Sequence, residues 1–361
     1  MLFGLLVLAA VLFSLLLRFP ELGPGALDRY FDGSVLDARH YRDLARWGYG
    51  TQETFPEQAL MIVYFPLFPL LMRPFVSMGL PFYPTAMLVN LLLFSSGARL
   101  LFRMVFRRWG RRIAAYSVLF LVLTLGSFFF VLPMSEALFL FLCLVFLDAL
   151  ESRRFGLAGA AGTLAALTRT PGPLLSLLAL AALFGIWRQG ERPRLRWILP
   201  VAGPAAGTAG YLALNFAIYG HPFQFLLFQR QHWQNGPGLF WQTLDYLWRY
   251  TGLWWQSNRA MALWYGIWQI GVVLLQLILL AAAAKRLPAP WLLYALAYFG
   301  VVNGAAWLLS ASRYSICLII LPAALALAAE KHLWALRTAF LLLLAGWLAF
   351  FAVFLSGGPV C

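Results

Sequence analysis

Of the 13 Asp and Glu residues in the chain, seven (Glu21, Asp28, Asp32, Asp37, Asp43, Glu53 and Glu57) fall between positions 21 and 57. The centre of that stretch reads LDARHYRDLARWGYG, Leu36 to Gly50. Asp37 is the acid best placed for chemistry. An ionised carboxylate within hydrogen-bond reach takes the proton from a sugar hydroxyl as that hydroxyl attacks. Asp37 also has a plainer use, which its spacing favours: it stands where an Asp caps a helix N-terminus, with Leu36 at N′ and Tyr41 at N4 as a hydrophobic staple. The two uses are compatible, although a helix N-terminus favours the charged form and holds the carboxyl pKa down.

The elements that hold these residues follow from composition. The chain has 361 residues, 62% hydrophobic and 11% charged, with a mean hydropathy of +0.79. Soluble domains carry roughly a quarter charged residues. Apolar runs of about 17 to 22 residues recur along the sequence, the length a helix needs to cross hydrocarbon. The expected fold class is all-α: one polytopic membrane domain over residues 1–361, with about eleven transmembrane helices. The expected spans are 1–18, 84–105, 113–132, 136–151, 156–169, 171–187, 197–219, 261–283, 290–309, 313–329 and 335–355. The first run resembles a signal-peptide core, but no basic residue precedes it and no small-residue cleavage site follows, so it reads as a retained helix.

Lys and Arg number 27, for a formal net charge of +14. They sit in short clusters between apolar runs, which marks membrane topology and not a nucleic-acid partner. With the N-terminus in the cytoplasm, the clusters at Arg103–Arg112, Arg153–Arg154, Arg188–Arg196, Lys285–Arg286 and Lys331–Arg337 all fall on the cytoplasmic side. The two long connections, 19–83 and 220–260, then face outward, and loops of that length are commonly functional. The expected location is the bacterial inner membrane with the working face periplasmic. Cys143 and Cys317 lie in apolar runs and Cys361 is terminal, so no disulfide or metal spacing is visible.

Within the first loop, Tyr41, Leu44 and Trp47 share one side of a helical repeat while Arg39, Arg42, Asp43 and Arg46 occupy the other, the pattern of an interfacial amphipathic helix. Pro66 and Pro69 interrupt the apolar run Ala59 to Met72, which predicts a broken, partly re-entrant segment or a kinked connector.

The stretch Leu36 to Gly50, followed by YFPLFPLL at Tyr64 to Leu71, resembles the bacterial relatives of the GPI mannosyltransferase II (PIG-V-like) family. SEALFLFL (Ser135 to Leu142), LAALTRTPG (Leu164 to Gly172), YGHPFQFLLFQRQHW (Tyr219 to Trp233) and SRYSICLIILP (Ser312 to Pro322) match in the same order. The Trp that the family places before its first-loop acid is Leu36 here, and the acid often found after the later glycine is His221. The resemblance implies a GT-C type glycosyltransferase. Such an enzyme takes sugar, mannose in the family, from a polyprenyl-phosphate donor and passes it to a lipid or glycan acceptor on the non-cytoplasmic face. It assigns the first-loop acid to Asp37 and the aromatic to Tyr41.

A departing lipid phosphate needs positive charge beside it, and the planar fork of arginine suits that need. The expected candidates are Arg169, Arg230 and Arg313, with Arg39, Arg42 and Arg259 behind them; for each, snorkelling to lipid headgroups is the plainer use. Glu136 begins an apolar run, where an acid favours a helix N-terminus, and a supporting role in the site is the alternative. His40, His221 and His232 face the same side without the spacing of a zinc helix. They read as substrate or lipid contacts; no cofactor is certain and a divalent cation stays open. Trp233 is the one ring of the second loop singled out for stacking on a sugar, the others reading as a belt contacting membrane lipids. A lipid or solute transporter of the envelope is the rival from another class, and a non-catalytic envelope partner is a second.

Overall fold

Backbone that finds no water closes its hydrogen bonds within its own segment, and among the described residues this chain does so mostly as helix. In a computed structural model, residues 1–18, 25–34, 36–51, 53–54, 56, 59–304 and 311–356 are described, without a β-strand among them. Glu21, Glu57 and Cys361 lie outside the described residues. In chain order, α1 (Leu2–Arg18), α2 (Ala26–Ser34), α3 (Leu36–Trp47) and α4 (Leu67–Ser77) precede the long α5 (Phe82–Leu123). Then come α6 (Glu136–Glu151), α7 (Phe155–Ala166), α8 (Leu175–Arg188), α9 (Ile198–Tyr219), α10 (Gln224–Trp233) and α11 (Phe240–Ser257). A short α12 (Arg259–Met261) passes through a π-helical turn, Ala262–Ile267, into α13 (Trp268–Ala283). α14 (Ala289–Asn303), α15 (Ala311–Ser315), α16 (Leu321–Ala328) and α17 (Leu333–Leu355) complete the described order.

Four helical runs among the described residues are long and apolar enough to cross a membrane: Phe82–Leu123, Leu195–Tyr219, Arg259–Ala283 and Leu333–Leu355. The protein is an all-α membrane protein. Shorter apolar helices stand among the long ones, including Phe155–Ala166, Gly172–Arg188 and Ala289–Asn303. At 1.5 Å per residue, Arg259–Ala283 reaches about 37 Å whereas α6, α7 and α14 reach only about 18 to 24 Å, less than the ~30 Å of hydrocarbon. Glu136 opens α6 and Arg169 follows α7, so two of these short helices carry residues of the cluster described below.

α5 is two helices. Gly110, at φ 80° and ψ 179°, turns the chain back on itself, a backbone state that favours glycine. The second half ends at Leu123, short of the expected 132, because the chain continues as irregular buried backbone with a 3-10 turn at Ser127–Phe130. Protein covers this segment: the Asn90 amide, on the first half of α5, donates to the Met134 carbonyl (2.8 Å) and to that of Leu132. The expected span 313–329 is likewise broken between α15 and α16, and residues 305–309 of the expected span 290–309 lie outside the described residues. The run Ala59 to Met72 is not one helix: a 3-10 turn at Met61–Val63 is followed by non-helical residues before α4 starts at Leu67. Pro66 is the N-cap of α4 and Pro69 lies in its first turn, where the amides proline lacks would have no intrahelical partner.

The far end of the bundle carries the opposite chemistry. Asp148, in the last turn of α6, is buried and held by Arg103 (2.7 Å), Arg154 (2.8 Å) and Arg107. Glu151 accepts from Arg108 (2.7 Å) and from the Trp291 indole (2.8 Å), and Arg286 pairs with Glu330.

α7 packs tightly against α9, where small residues let backbones meet. A side chain on Gly203 would fall 2.2 Å from the Gly159 carbonyl oxygen, and one on Gly207 2.2 Å from that of Thr163. The Thr163 hydroxyl donates to the Gly203 carbonyl at 2.9 Å. Gly203→Val is therefore expected to push the pair apart and destabilise the fold by about 1 to 3 kcal/mol, read as a lower unfolding midpoint in detergent; an unchanged midpoint contradicts this packing.

Candidate functional site

α3 delivers Asp37, and the crowd of acids around it explains how. The Arg42 guanidinium, buried on the polar side of α3, donates through Nη1 to both Asp32 oxygens at 2.9 Å and through Nε to Asp43 at 2.9 Å, with Asp28 3.8 Å away. The Tyr83 hydroxyl donates to Asp32, and the Arg42 guanidinium lies 5.6 Å from the Tyr83 ring centre. Asp28, Asp32 and Asp43 thus clamp α2 and α3 together through one arginine. On the other side of α3, Ala38, Tyr41 and Ala45 are buried, and the Tyr41 ring meets Phe68 and Tyr64 edge-on at 5.2 and 5.3 Å. The expected wet face is met in part: Arg39 and Arg46 are exposed, whereas Arg42 and Asp43 are buried because the acids of α2 cover that part of the polar side. Trp47, expected on the apolar side, is exposed.

α3 starts at Leu36, so Asp37 sits in its first turn and not at the cap. Its carboxylate reaches away from the helix instead: Oδ1 accepts from the Tyr64 hydroxyl at 2.9 Å and Oδ2 accepts from Arg313 Nη1. The backbone of Tyr64 is pinned by the Tyr49 hydroxyl, which donates to its carbonyl at 2.8 Å. Leu67, at the start of α4, donates its amide to the Leu167 carbonyl at 3.0 Å, tying this wall to the turn that carries Arg169.

Arg313 joins Asp37 to a second acid. Its Nε donates to Glu136 Oε1 at 2.6 Å, and its Nη2 rests against the Met134 sulfur at 3.3 Å. Arg169 Nη1 meets the same Glu136 oxygen at 2.9 Å and donates to the Ser135 hydroxyl at 3.2 Å, and that hydroxyl shares a hydrogen bond with the Tyr41 hydroxyl at 2.9 Å. α15 is fixed by the Gln269 side chain, which accepts from the Ser312 amide at 3.1 Å, and by the Tyr298 hydroxyl, which donates to the Tyr314 carbonyl at 2.8 Å. Each guanidinium also faces a ring, Arg313 at 5.2 Å from Phe129 and Arg169 at 5.7 Å from Tyr314.

Four charges therefore share one pocket of low polarity: two carboxylates and two guanidiniums, balanced. Their exposure is graded. The Glu136 side chain is 0% exposed, those of Arg313 and Arg169 12% and 13%, and that of Asp37 29%. Glu136 is the buried anchor and Asp37 the accessible rim. Burial would raise the Asp37 pKa, but the Arg313 charge and hydrogen bond, the Tyr64 hydrogen bond and nearby His40 outweigh it and hold the carboxyl below its ordinary value. Burial keeps His40 below its ordinary value despite the Asp37 charge, so it is neutral at pH 7. Burial pushes the Tyr64 and Tyr41 hydroxyls up. At neutral pH both remain protonated donors.

Asp37, Tyr41, Glu136, Arg169 and Arg313 thus meet in one network, although they come from distant parts of the chain. His40 stands beside it, its ring 5.1 Å from Tyr64. His221, Arg230, His232 and Trp233 are exposed at or near α10 and make no bond to the cluster. α10 instead packs near the Met61–Val63 turn that leads into Tyr64. Arg42 and Arg39 are taken up by aspartates and Arg259 by the Trp255 ring. Tyr64, Met134 and Ser135 join the site without having been singled out; only the position of Ser135 next to Glu136 and of Tyr64 at the head of the proline segment hinted at them. Among the described residues no group of His, Cys, Asp and Glu could hold a metal ion. No family model matches the chain, and neither a curated protein nor a solved structure does.

Removing the anchor's charge while keeping its shape leaves two guanidiniums short of a counter-ion. Glu136→Gln is expected to destabilise the protein by about 3 to 5 kcal/mol, the cost of breaking a buried ion pair from one side. A calorimetric or fluorescence unfolding curve in detergent measures it; a loss below about 1 kcal/mol contradicts the buried network.

Proposed function

We propose that the protein is an inverting membrane glycosyltransferase that moves a sugar from a polyprenyl-phosphate donor to a lipid or glycan acceptor. One observation carries this reading: an accessible carboxylate, Asp37, is bonded to a guanidinium that shares a buried acid with a second guanidinium. A base and a phosphate-binding pair therefore stand side by side. Burying four ions does little for stability, since a matched apolar set would serve as well or better, and ionisable groups at membrane depth mark function.

The chemistry balances with these residues alone. The acceptor hydroxyl attacks the anomeric carbon, its proton passes to Asp37, and the bond from that carbon to the phosphate oxygen breaks. The donor phosphodiester carries one negative charge and the departing phosphate monoester two, so as Asp37 is neutralised the charge reappears on the phosphate. Arg313 and Arg169 stabilise it there, an electrostatic contribution that grows as the bond breaks. The phosphate leaves as an anion and needs no acid.

The arginine-rich end of the bundle belongs on the cytoplasmic side by the rule that short basic loops stay inside, which sets Asp37 on the periplasmic face. Eleven spans and a GT-C architecture are part of this proposal, with Glu136 at the head of α6 and Arg169 in the turn after α7. Mannose rests on the resemblance to the GPI mannosyltransferase II family. A transporter of anionic lipids would also use paired arginines between broken helices, and it would move its cargo without any covalent change.

Purified protein supplied with a polyprenyl-phosphate hexose and a lipid acceptor is expected to form a glycolipid. Asp37→Asn is expected to lower that turnover by about 100-fold or more, the contribution of a general base. Full turnover in the variant, or lipid movement without sugar transfer in the parent protein, contradicts the assignment.

A further inference from the structure

Each guanidinium nitrogen of Arg313 has a partner before any substrate arrives, and the partners are unequal. Nε is committed to Glu136 Oε1 at 2.6 Å, deep in the protein and shared with Arg169. Nη2 faces only the Met134 sulfur at 3.3 Å, a weak acceptor. Nη1 is given to Asp37, the most exposed acid of the cluster. A phosphate gripping the guanidinium by two parallel hydrogen bonds has two edges to choose from. The edge holding Nε is closed by a buried carboxylate that two arginines secure. The edge formed by Nη1 and Nη2 is closed only by the sulfur and by Asp37.

From this we infer that the Asp37–Arg313 ion pair is a latch opened by the donor: the lipid phosphate takes the Nη1–Nη2 edge of Arg313, displaces Asp37, and so releases the base that the reaction then uses. The inference rests on the glycosyl-transfer reading and deepens it. With a hydrogen bond on each oxygen, Oδ1 from Tyr64 and Oδ2 from the charged Arg313, the Asp37 carboxylate is stabilised as the anion and is a weak proton acceptor. Once Arg313 turns to the phosphate, Oδ2 is free to accept the acceptor hydroxyl's proton. Arg313 keeps one anion across that edge throughout: first Asp37, then the phosphate whose charge grows as Asp37 loses its own. The consequence is an order of binding, donor before acceptor, with no active base in the absence of donor.

The latch makes a prediction opposite to that of a simple binding residue. Asp37 competes with the phosphate, so removing its charge strengthens phosphate binding even as it abolishes turnover. Decaprenyl monophosphate, titrated into the detergent-solubilised protein and followed by calorimetry, is expected to bind Asp37→Asn at least about fivefold more tightly than the parent, the lower edge of ordinary coupling between ligands. Tyr64→Phe removes the neutral hydrogen bond to Asp37 and leaves the ion pair, so its affinity is expected to stay within about twofold. Binding in Asp37→Asn that is unchanged or weaker overturns the latch, as does an equal gain in both variants, which reports general loosening. If the parent turns over lipid-linked sugar and Asp37→Asn shows no gain in affinity, the latch alone fails. If Asp37→Asn gains affinity but the parent transfers no sugar, the transfer reading fails and the competition for Arg313 stands.

Discussion

Two guanidiniums on a single carboxylate oxygen, Glu136 Oε1, are the contact on which the rest of the structure depends. The acid comes from the first residue of α6, one arginine from the turn after α7 and the other from α15. Each element would bury an unpaired ion if it shifted, at a penalty of several kcal/mol. Asp37 closes the group from a fourth element. The cluster is thus a register device as well as a candidate site, fixing α3, α6, α15 and the turn after α7 to one another.

Helices too short to cross hydrocarbon stand where longer neighbours pack against them: α6 lies against α5, α7 against α9 and α14 against α13. The irregular backbone between Leu123 and Glu136 is tolerated for the same reason: it is buried in protein and its carbonyls are met by Asn90. The basic residues at the far end find Asp148, Glu151 and Glu330.

Much of this was legible in the residues. The start of α6 at Glu136, its end at Glu151 and the helix around LDARHYRDLARW follow from apolar runs and helical spacing, because local periodicity is a property of the segment itself. The role of Arg42 did not follow. On a helical wheel it belongs to the wet face, and only the packing of α2 buries it while Arg39 and Arg46 of the same face stay exposed. Asp37 likewise reads as a cap by spacing, and its true partners, Tyr64 and Arg313, are brought by tertiary structure. Broken spans were hidden for a related reason: Ile316 to Ile320 is as apolar as any helix, and nothing in its composition shows that the backbone between α15 and α16 unwinds beside a charge cluster. Conversely, the residues of α10 looked functional by type, yet the fold sets their side chains outside the network.

The central claim is spatial, so a structure with polyprenyl phosphate bound tests it most directly. A cryo-EM map of the protein in lipid nanodiscs with that ligand is predicted to show the phosphate within hydrogen-bond distance of Arg313 and Arg169, with Asp37 turned free toward the opening. A phosphate lodged elsewhere, with the Asp37–Arg313 pair intact, would contradict the account.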